Sequence, residues 1–182
     1  MPRLLLSFWW IALLCGSFAR AALPASGNFS QTNLVAWCIV PFDAKKRTPA
    51  ERAEMVKRLG IPAIVYDWRE EHVPTFEQEI LEYQKHGLTY FGFWSSHEEA
   101  FKLFEKYRMH PQIWRSVPSP NAATPDERIQ RAAEQLLPHV QRAAQLGSRF
   151  GLYNHGGWGG EPESMVAMMP MGMLIMKISG QL

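Results

Sequence analysis

Ile61-Pro-Ala-Ile-Val-Tyr66 is an apolar run, and it is followed by a helical pattern over residues 75–86 and by a second apolar run, Leu88-Thr-Tyr-Phe-Gly-Phe93. Both runs lack strict alternation of apolar and polar residues, which indicates strands buried on both faces. The segment between them carries large apolar side chains at helical spacing, at Phe76, Ile80 and Tyr83. This arrangement predicts two parallel strands joined by a crossover helix.

The same unit recurs on both sides, so the chain is predicted to form four strand–helix units and a fifth strand. The further strands are predicted at residues 34–40, 111–117 and 150–153. Thr48-Pro-Ala-Glu51 and Thr124-Pro-Asp-Glu127 each have the order of a capping box with proline at the first helical position, so each should open a helix. A further helix is predicted over residues 98–109.

Repeated strand–helix units indicate an α/β fold with a parallel sheet. A doubly wound sheet and a (β/α)8 TIM barrel both have this pattern. No glycine-rich phosphate loop follows the first strand, whereas polar and aromatic residues follow every strand, which favours the barrel. We therefore predict a partial (β/α)8 TIM barrel of about four and a half units over residues 34–163, because a complete barrel has eight units.

The two ends of the chain have a different composition. Residues 1–21 have the basic, apolar and small-residue order of a secretory signal peptide, and residues 22–33 are predicted to be a linker. Residues 164–182 are rich in methionine and are interrupted by Pro170 and Gly172. We interpret them as an aberrant tail on a truncated barrel, with a natural half-barrel that dimerises as the alternative.

The composition limits the classes of partner. The apolar run within residues 1–21 is shorter than a membrane span, so we expect an exported protein with no stable span after signal cleavage. The net charge is only +2, and positive and negative residues are interspersed along the sequence. The sequence therefore lacks the clustered basic residues that indicate nucleic-acid binding. Because a partial barrel leaves its first and fifth strands as open edges, self-association through those edges is also expected.

Three motifs at the strand ends carry a family likeness. These are Val40-Pro-Phe-Asp43, Tyr66-Asp-Trp-Arg69, and Tyr153-Asn-His-Gly-Gly-Trp158 with Gly160-Glu-Pro-Glu163. Together they resemble exported bacterial members of the xylose-isomerase-like (sugar phosphate isomerase/epimerase) TIM-barrel superfamily. The resemblance implies a sugar or sugar derivative as substrate, proton transfer beside a sugar carbonyl, and a divalent metal such as Mn or Mg. Its metal ligands would come mostly from later strands, so no metal ligand is assigned in this chain.

Seven side chains near the strand ends are the candidate site residues. His155 and Glu161 are the candidate catalytic groups, because an imidazole or a carboxylate can shuttle a proton. The candidate substrate-binding residues are Asp67, Trp68, Trp94, Asn154 and Trp158. Each has a competing structural role: Asp67 can pair with Arg69, Asn154 can form a turn, Glu161 can favour a helix start, and the tryptophans can roof the barrel.

The resemblance implies a sugar isomerase or epimerase-like protein that acts on a monosaccharide or derivative by proton transfer, and the partial barrel predicts that it is truncated and inactive in this form. The alternative is a non-catalytic relic of the same fold that binds a carbohydrate or a partner. Whether the chain is an enzyme is left open, with isomerase or epimerase as the activity of an active parent.

Overall fold

Five parallel strands form one sheet in the order β1-β2-β3-β4-β5. The computed structural model describes Gly27 and residues 30–169. The strands are β1 Val35–Trp37, β2 Ala63–Asp67, β3 Thr89–Trp94, β4 Gln112–Ser116 and β5 Phe150–Tyr153. The helices are α1 Pro49–Arg58, α2 Phe76–Lys85, α3 Glu98–Lys106 and α4 Pro125–Gln145, with a further helix over residues 162–169. The α/β prediction is confirmed, including the alternation of strands and helices.

The four helices α1 to α4 cover one face of the sheet. Alternate residues of the strands, among them Ile64, Phe93 and Ile113, share one buried cluster with the inner faces of the helices. The helices contribute Ala53, Val56, Phe76, Ile80, Tyr83, Ala100, Phe101, Phe104 and Ala143, and Leu146 joins the cluster as the C-cap of α4. Strand order follows chain order without reversal, so the crossovers all leave the sheet on the same side. A doubly wound sheet would require a reversal of strand order.

The sheet is strongly curved. Neighbouring strands lie about 4.8 Å apart, so β1 and β5 would be separated by about 19 Å in a flat sheet. The ring centroids of Trp37 on β1 and Tyr153 on β5 are only 4.9 Å apart. The face opposite the helices is therefore concave, and side chains from its first and last strands meet across it.

The helix starts follow the capping motifs. At α1, the Thr48 hydroxyl accepts from the Glu51 N–H and the Glu51 carboxylate accepts from the Thr48 N–H, so the predicted capping box is confirmed. At α4, the Thr124 hydroxyl accepts from the Glu127 N–H, but the Glu127 carboxylate accepts from Ala123 instead. Both arrangements satisfy N–H groups that have no partner within the helix.

Strand β1 and helix α3 each end three residues before their predicted end, and a residue with positive φ follows within two residues. Strand β1 stops at Trp37 because Cys38 has φ 56°, although Val40 farther along is still buried. Helix α3 stops at Lys106, and Arg108 follows with φ 51°. Neither residue is a glycine or an asparagine, so the sequence carries no signal of the left-handed conformation.

The segments that flank residues 34–163 are described only in part. Residues 1–21 and most of the predicted linker lie outside the described residues, but Gln31–Asn33 form a 3-10 turn in which Asn33 Nδ2 donates to the Gly27 carbonyl at 2.6 Å. The predicted boundary at residue 163 lies within the helix over 162–169, where Ser164 and Met168 are buried. Pro170 and Gly172 are beyond the described residues. No helix within the described part of the chain is both long and apolar enough to cross a membrane.

Candidate functional site

The concave face carries a group of aromatic side chains near the carboxyl ends of the strands. Strand alternation directs Trp37, Trp94, Trp114 and Tyr153 away from the helices, since their neighbours Ala36, Phe93 and Ile113 belong to the core beneath the helices. The rings of Trp37 and Trp114 meet edge to face at 6.0 Å, and those of Trp114 and Tyr153 stack at 6.4 Å with 4° between their planes. We call these four residues the aromatic face.

All four rings of the aromatic face are half-buried. Trp37 and Trp114 fall early in the predicted strands at residues 34–40 and 111–117, a position that by itself predicts core residues. The concave face leaves them partly accessible because no helix covers that side. Side chains alternate between the two faces of each strand, and the parallel register shows which of them share a face. Together these two rules identify Trp37 and Trp114 as neighbours on the face without helices.

Asp67 lies beside Trp94 in the strand register, at the end of β2. Its side chain is almost fully buried, and Oδ1 accepts from Arg69 Nη1 at 2.8 Å. Oδ2 lies 3.5 Å from the Cys38 sulfur, which donates to it. The carboxylate is therefore engaged with protein groups, and the half-exposed Arg69 guanidinium is the group that reaches solvent.

The Asp67 carboxylate also changes the chemistry of its neighbours. Burial, followed by the charge of Asp67, raises the pKa of the Cys38 thiol to about 11. Burial and the neighbouring Cys38 and Asp67 likewise raise the pKa of the Tyr153 phenol. Cys38 and Tyr153 are consequently neutral at physiological pH, and Cys38 is not a ready nucleophile.

His155 stands at the rim of the aromatic face. It is exposed, and its ring lies 5.8 Å from Trp94 and 5.9 Å from Tyr153. Asn154 is also exposed, but its Oδ1 accepts from the Gly156 N–H at 3.0 Å, which makes it a turn residue. The structure thus brings His155, Trp94 and Asp67 together at the carboxyl ends of the strands, whereas the Asn154 amide oxygen is used in a hydrogen bond within the loop.

Trp68 and Trp158 lie on the helix side rather than on the aromatic face. Trp68 stacks on Phe93 at 6.3 Å and contacts the His97 ring at 4.7 Å. Trp158 packs in a second cluster with Val117, and the Arg128 guanidinium lies 4.4 Å above its ring. Both side chains cover the ends of helices, so the structure does not bring them to Asp67 and Trp94.

Glu161 begins the helix over residues 162–169, where its carbonyl accepts from the Met165 N–H at 3.1 Å. Its side chain is exposed, and its carboxylate makes no hydrogen bond or ion pair with any other described residue. Gly160 lies against the Asn154 side chain, since a Cβ there would be 2.4 Å from Asn154 Oδ1. Glu161 is therefore adjacent to the Asn154–His155 loop but is not tied to it.

These candidate residues do not provide a set of ligands for a divalent metal. Across Gly27 and residues 30–169, no three His, Cys, Asp or Glu side chains are grouped so as to hold a metal ion. Both Asp67 oxygens are engaged by Arg69 and Cys38. We therefore assign no metal ligand among the described side chains and derive no step through a metal.

Comparison of the chain with protein-family models, with curated proteins and with solved structures gave no match.

Proposed function

We propose that this chain binds a monosaccharide or a sugar derivative on the aromatic face, and that its fold is part of a (β/α)8 barrel of the xylose-isomerase-like kind. The uninterrupted strand order, the helices on one face and the strong curvature support this architecture. In such barrels the ligand lies at the carboxyl ends of the strands.

The observation that carries the proposal is the gathering of aromatic rings beside a few polar groups. Ligand sites are lined mainly by apolar and aromatic side chains, with a small number of polar groups that orient the ligand. Trp94 and Tyr153 offer flat apolar surface to the face of a sugar ring. Arg69, fixed by Asp67, and the exposed His155 supply donors for hydroxyl groups at the rim.

Binding is tested by calorimetric titration of the full chain with a panel of aldoses, ketoses and sugar acids. Trp94→Ala should weaken binding of any sugar that the wild type binds by at least tenfold. Trp158→Ala is the matched control, because it deletes the same atoms on the helix side and should leave the affinity within twofold. Equal losses in both variants, with circular dichroism unchanged, would argue against the aromatic face.

A second candidate function is isomerisation or epimerisation by proton transfer. It rests on the exposed imidazole of His155 beside Trp94 and Tyr153, since an imidazole can both accept and donate a proton. In this reaction His155 takes a proton from the carbon next to the sugar carbonyl. In isomerisation it returns the proton to the former carbonyl carbon, while a proton moves from the neighbouring hydroxyl to the carbonyl oxygen. In epimerisation a second acid protonates the same carbon from the opposite face, and neither reaction involves net oxidation. Glu161 is the adjacent candidate for the second proton-transfer group.

Incubation of the bound sugar in D2O distinguishes the two functions. Proton transfer predicts deuterium incorporation at the carbon beside the carbonyl, lost in His155→Gln while binding persists. Binding without incorporation supports the non-catalytic function.

Export is part of the proposal and rests on the composition of residues 1–21. N-terminal sequencing of the protein released by cells should begin after residue 21. A sequence beginning at Met1 would contradict it.

Self-association through the outer strands β1 and β5 is the remaining proposal about partners. Leu34 and Val35 are exposed beside the β1 edge. Light scattering across a concentration series should show dimers or larger species, which Val35→Lys should reduce. A monomer at all concentrations would contradict this proposal.

A further inference from the structure

A cleft of about 520 Å³ lies between α3 and α4, beside the end of β4 and on the opposite side of the sheet from the aromatic face. Its volume falls in the range of small-molecule sites, roughly 300–1,000 Å³. Its polar lining includes Ser96, His97, Glu98, Arg115, His139 and Arg142.

Arg115 is the central charge of this cleft. Its Nη1 donates to the Ser95 hydroxyl at 3.0 Å and to the Ser96 hydroxyl at 2.6 Å. Within Gly27 and residues 30–169, no carboxylate lies within salt-bridge distance of Arg115, and its Nε and Nη2 make no hydrogen bond. Burial lowers the pKa of the guanidinium, as expected for a partly desolvated cation without a counter-ion.

His139 extends this group of donors. Its Nδ1 lies 3.1 Å from the Ser96 hydroxyl, which already accepts from Arg115. The direction of this hydrogen bond depends on the histidine tautomer, so a neutral imidazole leaves either the Ser96 hydroxyl or the Nε2–H of His139 as a donor for a ligand, and the charged imidazolium leaves both. Burial and then the charge of Arg115 lower the pKa of His139, so the imidazole is neutral near pH 7.

The other charged residues at or beside the cleft are one arginine and two glutamates, which together carry one net negative charge. Arg142 pairs with Glu98 at 3.3 Å and with Glu105 at 2.9 Å. His97 caps α3, because its Nδ1 accepts from the Glu99 N–H at 3.1 Å. Among the described residues Arg115 therefore has no direct carboxylate partner, and it lies next to hydroxyl and imidazole groups that can donate.

We propose that this cleft is a binding site for a tetrahedral oxyanion, the phosphate group of a small molecule, held by Arg115 with Ser96 and His139. The free edge of the guanidinium provides paired N–H donors that match two phosphate oxygens. The volume of the cleft exceeds what a single phosphate group fills, so a phosphate monoester can be accommodated as well as the free ion.

The test is calorimetric titration of the full chain with inorganic phosphate, in chloride buffer of matched ionic strength. Arg115→Gln should weaken phosphate binding at least tenfold. Arg149→Gln is the matched control, because Arg149 is exposed just before β5 at the other end of the sheet, and it should leave the affinity within twofold.

A proton NMR titration of the wild type supplies a readout that does not depend on any variant. Phosphate should shift the His139 C2–H resonance and raise the pKa of this histidine, since a bound anion favours the charged imidazole. Absence of this shift, or equal phosphate binding in wild type and Arg115→Gln, would overturn the proposal.

Parallel titrations with glycerol 3-phosphate and with glycerol distinguish the two sources of the phosphate group. Binding of glycerol 3-phosphate at least threefold tighter than phosphate identifies a monoester site, and equal affinities identify a site for the free ion. Binding of glycerol as tight as that of its phosphate would contradict an oxyanion site.

Discussion

Replacement of Glu79 by Gln should destabilise the protein because it leaves a buried guanidinium without its main partner. Glu79 is fully buried on α2, and its Oε1 accepts from Arg52 Nε at 3.0 Å and from Arg52 Nη2 at 2.6 Å. Breaking a buried pair by removing one partner costs about 3–5 kcal/mol. Asp43 Oδ2, 3.5 Å from Arg52 Nη1, still offsets part of the charge, so we expect a value near the lower limit.

A loss of about 3 kcal/mol corresponds to a decrease in Tm of about 6–12 °C for a domain of this size. Urea denaturation followed by circular dichroism gives the free energy of unfolding. Glu54→Gln is the control, since Glu54 is exposed on α1 and such substitutions change stability by no more than about 0.5 kcal/mol.

The double variant Arg52→Met with Glu79→Met tests the reasoning, because hydrophobic replacement of both partners is often neutral or stabilising. It should recover most of the stability lost in Glu79→Gln. A loss below about 1 kcal/mol in Glu79→Gln, or a double variant less stable than Glu79→Gln, would refute the account of this pair.

Three further outcomes are expected. Burial acts to raise the pKa of Asp43, but hydrogen bonds from backbone N–H groups and nearby arginine charges outweigh it and lower the pKa. Wild-type stability should therefore fall as the pH decreases below about 4. Asp43→Asn should be less stable at pH 7 and should lose less stability between pH 7 and 3, as measured by the midpoints of urea denaturation. Alkylation of Cys38, followed by mass spectrometry of its peptide, should be slow at pH 8 and rise steeply toward pH 11, whereas Asp67→Asn should move the rise to lower pH. Gly159→Ala should lower stability by about 1–3 kcal/mol, because its Cβ would lie 2.5 Å from the Val117 carbonyl oxygen; an unchanged Tm would contradict this.

The elements of the fold follow largely from local signals in the sequence. Thr48 and Thr124 place the starts of α1 and α4, and apolar spacing identifies the buried residues Phe76, Ile80 and Tyr83 of α2. The curvature of the sheet does not follow from such signals, because it depends on contacts between distant strands. The ends of β1 and α3 were also missed, since Cys38 and Arg108 take positive φ in a tertiary context.

The candidate site was predictable to the extent that parallel strands bring their carboxyl ends together. This rule places Asp67, Trp94 and His155 at one edge of the sheet. The rule does not specify on which face of the sheet a side chain lies once its strand has ended, and Trp68 and Trp158 lie on the face covered by the helices. The cleft around Arg115 and His139 was missed because it needs the packing of α4 against the end of β4, which no short motif encodes.

The contact between Trp37 and Tyr153 has a consequence for the order of folding. These two rings belong to the first and last strands of the sheet, so their meeting requires closure of nearly the whole described chain. Loop-closure entropy grows with chain length, and contacts between distant segments slow folding. During synthesis, which exposes the amino-terminal units first, a chain that has emerged only through β4 still lacks Tyr153. Burial of the Trp37 indole by Tyr153 should therefore be a late kinetic phase.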